Sequence, residues 1–158
     1  MAQPKNFGFG EEQEMLKDSA RRFIEDKQPL LKLRKETAGT EDPYLGEERR
    51  GSYDLEAWQE MVALGWTMLA VPEAAGGAGM SRVTAVALVE EVGRAAMPTP
   101  LTSTLLATYV LMAAETPEAN EWLAKIVAGQ SASIAIFGEG GSLEADSTDV
   151  TVSGDRLT

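Results

Sequence analysis

The chain has 158 residues, enough for one ordinary domain or for one domain and the opening of another. It carries 25 acidic and 14 basic residues, for a formal net charge of -11, which argues against nonspecific binding to nucleic acid or to an anionic membrane, since both need a positive face. Zero cysteines exclude disulfides, thiolate metal sites and a cysteine nucleophile, and zero histidines remove the commonest general base, the commonest metal ligand and every Ser-His-Asp triad.

With 44% hydrophobic residues the chain reads as folded. No apolar run reaches the ~18 residues of a membrane span, and residues 1–10 lack the basic-then-apolar layout of a secretory signal. The expectation is a cytoplasmic protein with no membrane span and no metal site.

The first strong pattern spans residues 11–27. Leu16, Ala20, Phe23 and Ile24 recur at helical spacing, and Glu11, Glu12 and Glu14 suit the positive end of a helix. Pro29 ends or kinks this segment. Residues 35–52 are polar and include Gly39, Pro43, Gly46 and Gly51, so they are expected to form an exposed loop.

Asp54 has the place of an N-cap. Leu55, Trp58, Met61, Val62 and Leu64 then form one apolar face, and Gly65 stops the helix. Trp66 to Val71 is a short apolar run closed by Pro72. The loop Glu73-Ala-Ala-Gly-Gly-Ala-Gly79 follows, whose glycines permit positive φ or close backbone contact. Ser81 caps a further helix with apolar Ala85, Val86, Leu88, Val89 and Val92. Thr99-Pro100 sets a cap followed by proline at the first helical position. The helix of residues 100–114 is almost without charge, which points to burial. Thr116-Pro117 repeats the signal and opens a helix carrying Trp122, Leu123 and Ile126 that ends at Gly129. Trp58 and Trp122 are both expected to anchor the core.

After Gly129 the pattern changes. Residues 133–137, Ser-Ile-Ala-Ile-Phe, read as a strand, and residues 148–158 read as a hairpin whose return strand has barely begun. Such an open edge needs pairing. The fold class is therefore mainly α: a helical bundle over residues 1–129, followed over 130–158 by the first strands of an incomplete β-domain.

A self-contained active site is hard to assemble from these residues. Glu90 and Glu91 are adjacent, so they point to different faces of one helix and read as solvent-facing acids. Gly76-Gly77-Ala78-Gly79 lacks the Gly-x-Gly-x-x-Gly spacing of a dinucleotide cradle and reads as loop geometry. Thr102, Ser103 and Thr104 lie near the start of the uncharged helix. They either bond to the preceding turn or line an apolar groove.

The pieces occur in a distinctive order. A helix with Trp58 to Gly65 leads into Leu64-Gly-Trp-Thr-Met-Leu-Ala-Val-Pro-Glu-Ala-Ala-Gly-Gly-Ala-Gly-Met80. Then come Val89-Glu-Glu-Val-Gly-Arg94, a small-residue helix, and Trp122-Leu-Ala-Lys-Ile-Val-Ala-Gly129. Over nearly its whole length this resembles the N-terminal helical domain of an acyl-CoA dehydrogenase and the opening of that family's middle β-domain. The resemblance implies FAD-dependent removal of the α and β hydrogens of an acyl-CoA thioester. It also implies homo- or hetero-oligomers of dehydrogenase-like subunits.

The same resemblance implies site residues. The family's acyl groove takes one wall from the helix at 100–114, which makes Pro98, Thr99, Thr102 and Ser103 substrate-binding candidates. Most members carry a Thr-Glu-Pro-Gly-Ala-Gly-Ser-Asp loop against the flavin. The matching stretch here is Phe137-Gly-Glu-Gly-Gly-Ser142, in which Glu139 keeps its place while Gly138 and Gly140 replace the threonine and the proline. Cofactor contact is thereby assigned to Phe137, Gly138 and Glu139, with FAD bound in the complete protein. No residue of the chain takes the role of catalytic base, which in this family lies in or near a C-terminal bundle. Two rival readings are a noncatalytic dehydrogenase-like subunit of a heteromeric complex and a stand-alone helical interaction module.

Overall fold

The computed structural model describes residues 9–38, 53–136, 152, 153, 156 and 157. Its helices are α1 (Glu11–Lys27), α2 (Leu30–Ala38), α3 (Leu55–Ala63), α4 (Arg82–Arg94), α5 (Leu101–Ala114) and α6 (Pro117–Val127). Two short 3-10 turns, Trp66–Met68 and Glu73–Ala75, separate α3 from α4. Val152–Ser153 (β1) pairs antiparallel with Arg156–Leu157 (β2), Val152 opposite Leu157. The protein is mainly helical, as the sequence implied.

Local chemistry explains the helix ends. The Asp54 carboxylate accepts from the Glu56 and Ala57 amides, and Lys32 approaches it at 2.8 Å. The lysine, then the amides, hold that carboxyl below its ordinary range. Thr116 accepts from the Ala119 amide ahead of Pro117. Gly65 ends α3 at φ 78°. At α5 the first helical residue is Leu101, one later than Thr99-Pro100 suggested, and the Thr99 hydroxyl accepts from the Leu101 amide.

The central cluster gathers one face of four helices. Ala20 and Ile24 of α1, Trp58 and Met61 of α3, Ala85, Leu88 and Val92 of α4, and Leu101 and Leu105 of α5 form one cluster around Trp66. Phe23 meets the Trp66 ring edge to face at 5.0 Å. Around Gly77 the loop folds back on the chain. Gly79 donates to the Val71 carbonyl at 2.8 Å, Ala78 to Met68 at 3.0 Å and Met80 to Leu69 at 2.8 Å.

Three expectations are corrected. Residues 35–38 belong to α2 and not to a loop, because the run from Leu30 to Ala38 holds good helix formers and neither glycine nor proline. The rest of the expected loop, 39–52, lies outside the described residues except for its boundary with Tyr53. Residues 133–136 carry strand-forming side chains yet form no strand, since a strand exists only with a partner to share its hydrogen bonds. Trp122 is not a core anchor but 50% exposed. On α6 the inward stripe is Ala119, Leu123 and Ile126, which turns Trp122 about 100° away from Leu123. Lys125 lies over its ring at 3.9 Å.

Glu91 also departs from expectation: it is 0% exposed. It shares the inward face of α4 with Thr84 and Leu88. Burial of a carboxylate requires compensation, and two guanidinium groups supply it. Arg21 of α1 donates to both oxygens, at 2.8 and 3.1 Å, and Arg94 donates at 2.6 Å. Gln13 to Thr84 at 2.9 Å and Lys17 to Glu90 at 2.9 Å complete a ladder. Its partners ascend together, so α1 and α4 run parallel.

The bonds from Arg21, then those from Arg94, hold the Glu91 carboxyl at about 2, below its ordinary 4.5, against the opposing effect of burial. A depressed carboxyl contributes stability above its unfolded-state pKa and loses it as pH falls toward the folded value. Glu91→Gln is expected to cost about 2 kcal/mol at neutral pH. That is below the usual range for breaking a buried pair, because both arginine side chains are nearly half exposed. The gap between wild type and variant should shrink as pH falls from about 5 toward 2. Denaturant melts across that window check it, and a gap independent of pH would remove the ionised carboxylate from the account.

Candidate functional site

An apolar cleft of about 450 Å³ opens between α4 and α5. Ala85, Val86 and Val89 of α4 face Leu105 and Leu106 of α5. Thr102 and Glu90 stand toward one end, and Arg82 and Tyr109 toward the other. On α5, positions 102, 105, 106 and 109 fall on one face because 3.6 residues complete a turn. Leu106 and Val110 remain 51% and 52% exposed, so the charge-free helix expected to be buried is covered on one side only.

The polar groups of the cleft are few. Glu90 is paired with Lys17. The Arg82 guanidinium sits 5.4 Å from the Tyr109 ring centre. The Tyr109 hydroxyl is closed off from solvent and has no hydrogen-bond partner among the described residues. Its burial pushes the phenol pKa up, and the nearby Arg82 charge pulls the other way.

The candidate residues named from sequence divide at this point. Thr102 lines the cleft. Pro98, Thr99 and Ser103 do not. Pro98 is exposed at the turn before α5. The Thr99 hydroxyl approaches the Met61 sulfur at 3.4 Å, and Ser103 donates to the Pro100 carbonyl at 2.9 Å. Ser103 thus follows the turn-bonding alternative for this helix. Thr104 is buried and exchanges two bonds with the Ala132 main chain, donating at 3.2 Å and accepting at 3.1 Å. Phe137, Gly138 and Glu139 lie outside the described residues.

Tyr109 and Arg82 were not singled out from sequence. The available signal was the 102–105–106–109 stripe, hidden because α5 is apolar on nearly every side. A second depression of about 480 Å³ lies between α3 and residues 128–131, near Tyr53 and Gln59, and contains none of the candidate residues. No group of acidic side chains among the described residues is placed to hold a metal ion, and no described helix is long and apolar enough to cross a membrane.

Residues 10–130 match the family described as "Acyl-CoA dehydrogenase, N-terminal domain". The chain belongs to the acyl-CoA dehydrogenase family. Among the similar proteins is the acyl-CoA dehydrogenase IpdE2 of Mycobacterium tuberculosis (strain ATCC 25618 / H37Rv), 33% identical over 101 residues, which cover 63% of this chain and 31% of that protein. IpdE2 of Mycolicibacterium smegmatis (strain ATCC 700084 / mc(2)155) is 28% identical over 151 residues, covering 95% of this chain and 44% of its own. Among solved structures, a variant of the Tcur3481-Tcur3483 steroid ACAD superposes with a TM-score of 0.60 at 34% identity, over 76% of this chain and 30% of that one. The chain thus spans less than half the length of these acyl-CoA dehydrogenase relatives. The matched region contains α1–α6, and with them the whole α4–α5 cleft.

Proposed function

We propose that this chain is the N-terminal portion of an FAD-dependent acyl-CoA dehydrogenase, which removes the α and β hydrogens of an acyl-CoA thioester. In this reading residues 1–129 form one wall of the acyl groove, and 130–158 open a middle β-domain whose residues 137–139 meet the edge of the flavin. The observation that carries it is the apolar cleft on α5, within the helical region that matches the family. A largely apolar, preformed cleft with few polar groups suits an acyl chain. FAD, bound by the complete protein, supplies the electron acceptor. What the described residues contribute is shape and dryness: Ala85, Val86, Val89, Leu105 and Leu106 exclude water from one side of the acyl group. Thr102 stands at the end of that wall.

The complete protein is proposed to act in the cytoplasm as an oligomer of dehydrogenase-like subunits. A noncatalytic role within a heteromeric complex is the second reading. It is favoured by the name of the similar solved structure, which joins two gene products.

The test uses the complete polypeptide, co-expressed with any neighbouring dehydrogenase-like subunit. It is expected to purify with bound flavin and to reduce an artificial electron acceptor when given acyl-CoA thioesters. The 158-residue chain alone, with added FAD, is expected to show no turnover above a protein-free blank. A flavin-free complete protein without turnover would overturn the enzyme reading. Turnover only with the partner subunit, retained when all acids of this polypeptide's own C-terminal half are neutralised, would select the noncatalytic one.

A further inference from the structure

The outer side of α6 carries a group of side chains that the bundle does not use. Trp122 alone of the three tryptophans lies on the surface, with the Lys125 ammonium 3.9 Å from its ring centre. Of the lysines whose side chains are described, Lys17, Lys27 and Lys32 each meet a carboxylate within 2.9 Å, whereas Lys125 meets none. Glu118, exposed on the same helix, meets no cation among the described residues. Charge of both signs is thus left open on either side of an exposed aromatic ring.

The order of these residues carries the inference. Glu118 stands four residues before Trp122 and Lys125 three after it, spacings that hold all three on one face. At a rise of about 1.5 Å per residue, the acid lies ~6 Å to one side of the tryptophan and the base ~4.5 Å to the other. The face is therefore close to its own complement. Turned end over end about Trp122, it brings Lys125 almost level with Glu118 and Glu118 almost level with Lys125. A foreign helix would have to supply acid and base in reverse order, while a second copy supplies them by symmetry, as an isologous contact requires. Tryptophan at the centre of such a patch is the residue type in which interface energy concentrates. Each copy has a net charge of -11, so two copies repel unless the meeting surfaces hold both signs in register. We propose that this face of α6 docks a second copy of this chain, α6 antiparallel to α6. The two Trp122 rings meet on the two-fold axis, and Lys125 of each copy pairs with Glu118 of the other. This inference rests on the oligomer reading above and adds a surface to it. One helix pair covers less than the roughly 1,200 Å² of a standard interface, so the pairing is weak and reversible.

The experiment is sedimentation velocity of the complete polypeptide over a concentration series. The wild type is expected to show a reversible doubling of mass. Trp122→Ala is expected to raise the dissociation constant of that step about thirtyfold, with helix content by circular dichroism unchanged. Glu118→Lys and Lys125→Glu each set like charges opposite one another twice across the axis, and each is expected to raise the constant about tenfold. The variant carrying both reversals is expected to return to the wild-type value. Carbodiimide coupling of a mixture of unlabelled and heavy-nitrogen protein is expected to join Glu118 of one label to Lys125 of the other. A doubling unchanged in Trp122→Ala, a double reversal that stays weak, or a coupling of Lys125 only to acids of its own chain overturns the proposal. An oligomer of constant mass without the doubling step overturns the α6 pairing alone. A monomer at every concentration overturns the oligomer reading itself, so the two failures are distinguishable.

Discussion

Trp58→Ala is expected to lower the free energy of unfolding by about 4 kcal/mol. Trp58 is 4% exposed and lies in the central cluster, with Tyr53 edge-on to it at 6.2 Å. Its indole N–H donates to the Gly129 carbonyl at 3.0 Å. Alanine would open a cavity the size of an indole and orphan that carbonyl. Trp58→Phe keeps most of the packing and loses the hydrogen bond, so its cost should be markedly smaller. Trp122→Ala is the internal contrast. Its ring lies half in water beneath the Lys125 ammonium, and the loss should stay below about 1 kcal/mol. Denaturant melts of the three variants check the ranking. Equal losses at the two tryptophans would contradict the register assigned to α6.

The second large effect is expected at Gly77, where Gly77→Ala should cost about 3 kcal/mol or prevent folding. A Cβ at this position would lie 2.0 Å from the Val71 carbonyl oxygen and 2.4 Å from the carbonyl carbon. Both are main-chain atoms fixed by the bonds that close the loop, so no side-chain rotation relieves the clash. Gly76, the residue before it in the same turn, makes the comparison. It has open space around it and a left-handed φ of 83°, so Gly76→Ala pays only conformational strain, about 1 kcal/mol. Thermal melts of both variants decide the matter, and a Gly77→Ala protein as stable as wild type would show that the loop lies elsewhere.

What was legible in the sequence was mostly what is set by a few consecutive residues. The caps at Asp54 and Thr116, the glycine stop at Gly65 and the tight approach at the Gly76–Gly79 turn all follow from local chemistry. What escaped depends on which side of a helix meets a neighbour. Glu91 resembles an ordinary surface acid until Arg21, 70 positions away, is brought beside it. Trp122 looks like a core residue by size, yet the smaller Ala119, Leu123 and Ile126 own the inward stripe. At the site, α5 could be singled out by its lack of charge. Its working face could not, because an evenly apolar helix has no periodicity to mark the side left uncovered. Only packing against α4 reveals that Thr102 and Tyr109 look into one cleft while Ser103 turns back to its own helix.

The double bond between Thr104 and Ala132 has a mechanical consequence. A threonine hydroxyl that both donates to and accepts from one residue's main chain imitates a rung of sheet pairing, although it comes from the side of a helix. Three residues earlier, Trp58 grips the Gly129 carbonyl. The chain leaving α6 is thus clamped twice, by α3 and then by α5, before it runs on through Ile136. A segment clamped at two nearby points cannot swivel. Its heading is set by the bundle, and the departure from the helical region works as a rigid bracket instead of a loose tether. Because α5 forms one jaw of that bracket and one wall of the cleft, the shape of the pocket and the direction of the departing chain are carried on the same rod.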